Sequence, residues 1–149
     1  MKIKAKPNTA IGFTYCVNPV KAERAKFIAN KTKIICNYCL SHNIQFETMC
    51  FGSSSSEYEF QSGSLDNLIF LIEKNQADEV ICVNYEDLSF AFYDYCLFKD
   101  FLDRNQVKLT AVNKSSSKNK EWLELMNKLY VEFKKFQDNN GSMKGGETQ

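Results

Sequence analysis

The chain has 149 residues, 44% of them hydrophobic and 13% aromatic, enough to bury one sizeable core, and its formal net charge is +1. That balance argues against holding nucleic acid by bulk charge, because counterion release needs several clustered cations. Of 19 Lys plus Arg only Arg24 and Arg104 are arginine, which leaves few donors for bidentate phosphate recognition.

No apolar run approaches the roughly 18 residues of a membrane helix, and "MKIKAKPNTA" lacks a signal-peptide core, so a cytoplasmic protein is expected. The six cysteines fall mainly in apolar positions and read as reduced, buried thiols rather than a disulfide framework.

In chain order, "TAIGFTYCV" (9–17) is rich in β-branched and aromatic residues and stops at Asn18 and Pro19, which predicts a first strand. From Val20 to His42, apolar residues recur at helical spacing through Ala25, Ile28, Ala29, Ile35, Cys36, Cys39 and Leu40. "NIQFETMCF" (43–51) alternates imperfectly and predicts a second strand. "GSSSSEYEFQSGS" (52–64) is polar, flanked by glycine and too long for a turn, and reads as a mobile loop. Ser64 then suits the N-cap of a helix whose apolar face is Leu65, Leu68, Ile69, Leu71 and Ile72. "DEVICVNY" (78–85) is an unbroken apolar run, as in parallel strands covered on both faces. A helix over 89–106 and a strand over 107–112 complete the alternation.

The expected fold class is therefore α/β, a mostly parallel four- to five-stranded sheet flanked by helices. The expected organisation is an α/β body over 1–112, a serine-rich linker over 113–120, a long C-terminal helix over 121–138 and a disordered tail over 139–149.

Several clusters admit a chemical reading beside a plainer one. Cys36, Cys39 and His42 share one helix face, but a metal site needs a fourth ligand, and cysteines in an amphipathic helix act as small apolar residues. No metal and no cofactor is expected. Ser53 to Ser56 have no neighbouring base to activate a hydroxyl, so a solvated loop is the better reading. Glu86 and Asp87 stand at a strand exit, where α/β folds place ligands; capping the helix near Ser89 is the simpler role. Lys2, Lys4, Lys6, Lys114, Lys118 and Lys120 offer at most weak, salt-sensitive DNA contact.

The last helix carries the strongest signal for a partner. Trp122, Leu125, Met126, Leu129, Phe133 and Phe136 share one stripe, and Leu123, Tyr130 and Val131 add apolar surface beside it. One domain covers such a stripe and its flanks together only with difficulty, and aromatic anchors suit an interface.

Together these segments resemble the catalytic domain of the serine recombinases, the resolvase and invertase family, over about residues 9–138. "IGFTYCVNP" stands where that family has a strand leading to Arg and the nucleophilic Ser. "SSSSEYEFQSGSLDNLIFLIEKNQADEVICV" follows its loop, helix and strand. "YEDLSF" falls on Leu-Asp-Arg-Leu-Ser-Arg, keeping Leu88 and Ser89, and "YVEFKKF" partly matches the long dimer helix through Glu132 and Phe133.

The resemblance implies a resolvase-like fold and, by its departures, lost chemistry. The family's reaction is attack of a serine hydroxyl on a DNA phosphodiester held by arginines. Where Arg and then Ser belong the chain has Tyr15, Cys16, Val17 and Asn18, with neither type in reach of a small register shift; Gln61 and Ser62 stand at the loop's Asp-Arg, and Asp87 and Phe90 at the two strand-exit arginines. One oxyanion-type donor is worth about 3 to 4 kcal/mol, so losing several should abolish turnover. Arg24, early in the first helix, and Arg104, far along the chain, are not expected to replace them. The expectation is a non-catalytic protein acting through protein contacts, as a homodimer or with a related recombinase or another DNA-bound factor, touching DNA weakly or indirectly and no membrane. The alternatives are a divergent strand-transfer enzyme using Ser54 or Ser55, and a DNA-binding regulator making weak contacts through its lysine-rich patches.

Overall fold

A computed structural model describes residues 8–54, 63–88 and 92–147. Its elements are β1 (Thr9–Val17), α1 (Lys21–Ser41), β2 (Gln45–Ser54), α2 (Gly63–Asn75), β3 (Glu79–Cys82), a 3-10 turn (Tyr85–Leu88), α3 (Phe92–Asn105), β4 (Lys108–Ala111) and α4 (Ser117–Glu147). The sheet has four strands, all parallel, in the order β2-β1-β3-β4.

That order means the chain steps outward from β1 to β2, then back across β1 to β3 and onward to β4. Right-handed crossovers in opposite directions put their helices on opposite faces. Accordingly Ala10, Ile81 and Val83 meet Ile35 and Cys39 of α1. The alternate residues Ile11, Phe13, Val80 and Cys82 meet Leu68 and Ile72 of α2 and Phe98 and Leu102 of α3. Period-two alternation in each strand divides the core in this way. Each fully buried Phe, Ile or Leu contributes about 1.5–3 kcal/mol. Gly12 lies where three elements close together, since an added Cβ would come to 2.7 Å of the Met49 sulfur and 3.2 Å of Ile35.

The three helices that lead into strands stop in the same way. Asn43, Gln76 and Gln106 adopt positive φ values of 56°, 49° and 57°. The next amide of each returns to the carbonyl five residues back: Ile44 to Cys39, Ala77 to Ile72 and Val107 to Leu102. This is the Schellman arrangement, built here on side chains that tolerate the left-handed region less readily than glycine.

Four expectations are revised. β2 continues to Ser54, into the stretch read as a loop, because Gly52 passes the Tyr15 ring without a Cβ to obstruct it. Its imperfect alternation comes from a register shift: Ala10 pairs with Phe46 but Ile11 with Thr48, leaving Glu47 as an extra residue. Ser64 lies inside the first turn of α2, which begins at Gly63. α4 begins at Ser117 and runs to Glu147, so it takes in part of the segment 113–120 read as linker and most of the tail read as disordered. The early start has a physical cause: Asn119 is 4% exposed and tied by hydrogen bonds to the ends of β3 and β4.

Candidate functional site at the carboxyl ends of the strands

The sheet's topological switch point lies between β1 and β3, where successive crossovers part and α/β folds place ligands. Asp87 comes to this crevice from the 3-10 turn, and Lys31 from the sheet-facing side of α1. Their Nζ and Oδ2 atoms are 3.1 Å apart, with side chains 13% and 7% exposed. The same Asp87 oxygen accepts the backbone N–H of Asn84 at 3.0 Å, and the Asp87 N–H returns to the Asn84 carbonyl at 2.9 Å. These paired bonds end β3 in a tight turn before Tyr85, where an extended strand was expected. Asp87 therefore caps its own turn and neutralises Lys31; the segment 89–91, expected to start the next helix, lies outside the described residues. Glu86 points elsewhere, to a surface pair with Lys118 at 2.9 Å.

Around this pair the site is largely buried. The Lys31 ammonium stands 5.0 Å from the Phe27 ring centroid. Thr14 is fully buried on β1, and its hydroxyl has no hydrogen-bond partner among the described residues. Burial pushes the Cys82 thiol far up, and the Asp87 carboxylate adds to that, while Lys31 opposes it. Burial likewise raises Cys16, against the opposing charge of Arg24, and raises Cys39 and Cys50 to about 11. Such thiols stay protonated at neutral pH, so they are poor nucleophiles and poor metal ligands.

At the exit of β1, Tyr15 is buried with its ring over Gly52, whereas Val17 is 43% exposed. A cleft of about 510 Å³ opens beside them, lined by Cys16, Val17, Asn18, Glu23, Lys26 and Phe27. Arg24 lies nearer to this exit than its sequence position suggests: its Nη1 donates to the Asn18 carbonyl at 2.5 Å. Arg104 is far away, paired with Asp100 on α3 at 3.2 Å. Gln61, Ser62 and Phe90 lie outside the described residues.

The Cys36, Cys39 and His42 face does not converge. Cys39 is buried under the sheet, whereas exposed His42 stacks on Tyr38 with ring centroids 3.9 Å apart. Among the described residues no group of three or more His, Cys, Asp and Glu side chains could hold a metal ion, and no helix is long and apolar enough to cross a membrane.

The stripe on α4 divides in two. Trp122 stacks on Tyr85 with centroids 5.3 Å apart and meets Tyr95 edge-on at 5.3 Å. It is an anchor in the chain's own core, with Leu123 beside it, and not an open contact residue. Further along, Tyr130 donates to Asp103 at 3.3 Å and Lys134 pairs with Asp100 at 2.9 Å, clasping α4 to α3. Met126 and Phe133 are half-buried, whereas Leu125, Leu129 and Phe136 are 56%, 38% and 66% exposed. Sequence reasoning missed Lys31 and Asn119. A lone lysine on the apolar face between Ile28 and Ile35 was the one available signal for the first.

The fold is that of serine recombinase catalytic domains. The N-terminal catalytic domain of TP901-1 integrase matches with a TM-score of 0.60 at 16% identity, over 87% of this chain and 99% of that one. A resolvase family site-specific recombinase from Streptococcus pneumoniae matches with a TM-score of 0.63 at 11% identity, over 95% and 97%. The C-terminal catalytic domain of ISC1926 TnpA, an IS607-like serine recombinase, gives a TM-score of 0.56 at 16% identity, over 84% and 82%. No family model and no curated protein matches the sequence.

Proposed function

We propose that this chain is a recombinase-fold protein without strand-transfer chemistry, acting through protein contacts along α4 as a homodimer or with a related recombinase. The observation that carries the reading is the Lys31–Asp87 pair. Where the resembled family has a phosphate-binding arginine, this chain has a carboxylate turned inward onto a largely buried lysine. A phosphodiester entering the crevice would meet a closed ion pair in place of an arginine, and Lys31, the cation that the described residues bring to Asp87, is already neutralised. Val17 at the β1 exit offers no hydroxyl. Contact with DNA is then weak or indirect.

The partner surface is the exposed side of α4, where Leu125, Leu129 and Phe136 follow helical spacing. Light scattering on the full chain and on an L125E/L129E/F136E variant tests this. A dimer mass, or co-elution with a related active recombinase, should be lost in the variant. A wild-type chain that remains monomeric alone and in the mixture overturns the contact role. Incubation with supercoiled DNA tests the other half, because nicks or a covalent protein–DNA adduct would show retained chemistry.

A further inference from the structure

The two edges of the sheet differ. β4, at one edge, is four residues long and begins with Lys108, and short length and lysine are common protections of an open ladder. β2, at the other edge, is ten residues long, and among the described residues it pairs only with β1. Its one charged residue, Glu47, sits at the register shift near the start. From Thr48 to Ser54 the strand has no charge and no proline, so its outer N–H and C=O groups form an unguarded template.

Beside this half of β2 lies a groove of about 380 Å³ lined by Lys21, Arg24, Ala25, Ile28, Ala29 and Phe51. Phe51 is 54% exposed, an unusual position for an aromatic side chain on a strand facing a helix. The groove is graded along its length. α1 runs opposite to β2, so Ile28 and Ala29 lie towards Phe51, while Lys21 and Arg24 lie towards Ser53, which also lines the groove. Among the described residues no carboxylate lines it.

We propose that the Thr48–Ser54 edge and this groove form a docking surface for an extended segment of a different protein, carrying a bulky apolar residue and, two positions on, an acid. The segment joins the sheet as a fifth strand, with main-chain hydrogen bonds supplying the ladder and alternate side chains supplying selectivity. Residues two apart on one strand face are about 6.4–6.8 Å apart, the step from Phe51 to Ser53, so the apolar side chain enters beside Ile28 as the acid reaches Lys21 and Arg24. A second copy of β2 fits poorly, because its uncharged half has no carboxylate for these two cations. This surface is independent of the α4 contact.

The probe is a pool of blocked octapeptides with Phe fixed at the fourth position, Glu at the sixth and mixed β-branched residues elsewhere. Amide exchange on the full chain should slow at Thr48–Ser54 when the pool is added, and K21E/R24E should raise the apparent Kd about tenfold. Because Arg24 also braces the Asn18 carbonyl, Phe51→Ser is a second variant, at an exposed position, and should weaken binding as well. A pool with Lys in place of Glu should bind weakly, and an N-methylated pool not at all. Failure of the Glu pool to protect β2, or equal protection by the Glu, Lys and N-methylated pools, overturns the proposal. Both outcomes are separate from the oligomer mass that tests α4.

Discussion

Replacing Asp87 with alanine removes the carboxylate that, among the described residues, pairs with the largely buried Lys31 ammonium, and also the acceptor for the Asn84 N–H. Breaking a buried ion pair from one side costs about 3–5 kcal/mol, because the remaining charge is stranded. Lys31 keeps 13% exposure and a flexible stem that lets the ammonium reach for water, which puts this case at the low end. The orphaned N–H adds about 1 kcal/mol, for a total near 4 kcal/mol. For a chain of this size that lowers Tm by about 10 °C. In the double variant Lys31→Met/Asp87→Ala no charge is stranded, so the cost should fall to about 2 kcal/mol, well below the sum of the single costs. Urea unfolding of the four proteins measures the coupling directly. Additive single costs, each under about 1 kcal/mol, would mean that both groups are well solvated and that the crevice is open to anions.

Asn119→Ala should cost about 2–3 kcal/mol, since one buried side chain serves the Tyr85 N–H, Asn84, Asn113 and Ser116. Amide exchange should rise at Tyr85 and leave β2 unchanged; unaltered protection at Tyr85 would refute the role given to Asn119. The α3–α4 clasp should show in the pH dependence of Tm. The hydrogen bond from Lys134, foremost, holds the Asp100 carboxyl below its ordinary range. Its contribution is present above the unfolded carboxylate value and is lost as pH falls through the lowered folded value, so Lys134→Met should flatten the acid limb. At the alkaline end burial, helped by Asp103, raises Tyr130 to about 12. That contribution is complete below about 10 and is lost as pH rises through the folded value, so Tyr130→Phe should remove it.

The elements that bury one clear face were legible. The ends of β1 and α1 fall within a residue of those expected, because β-branched alternation and helical spacing are local and Asn18-Pro19 separates them. The unbroken apolar run of β3 announced a strand covered on both faces, and Glu79 to Cys82 are all buried. The polar joins were not legible. Lys31 meets Asp87 across 56 positions, and Asn119 meets Asn84 across 35, through crossovers that leave no periodic trace in either partner. The same limit affected α4, where spacing announces an apolar stripe but not what covers each part. Trp122 belongs to this chain's own core, and the covering of Leu125, Leu129 and Phe136 is a matter for the mass measurement. The loop motif at Gln61 and Ser62 lies outside the described residues.

α4 also has a mechanical consequence. Its 31 residues make a rod about 46 Å long. The rod is pinned at Asn119 and braced at Lys134, about 22 Å away, and the remainder extends beyond the second support. With the first support fixed, a slack of about 1 Å at the second becomes about 2 Å at Glu147. A few polar bonds at Asn119 and Asp100 thus determine how accurately anything gripping the far end is aimed, and loosening either support would alter alignment before it altered the sheet.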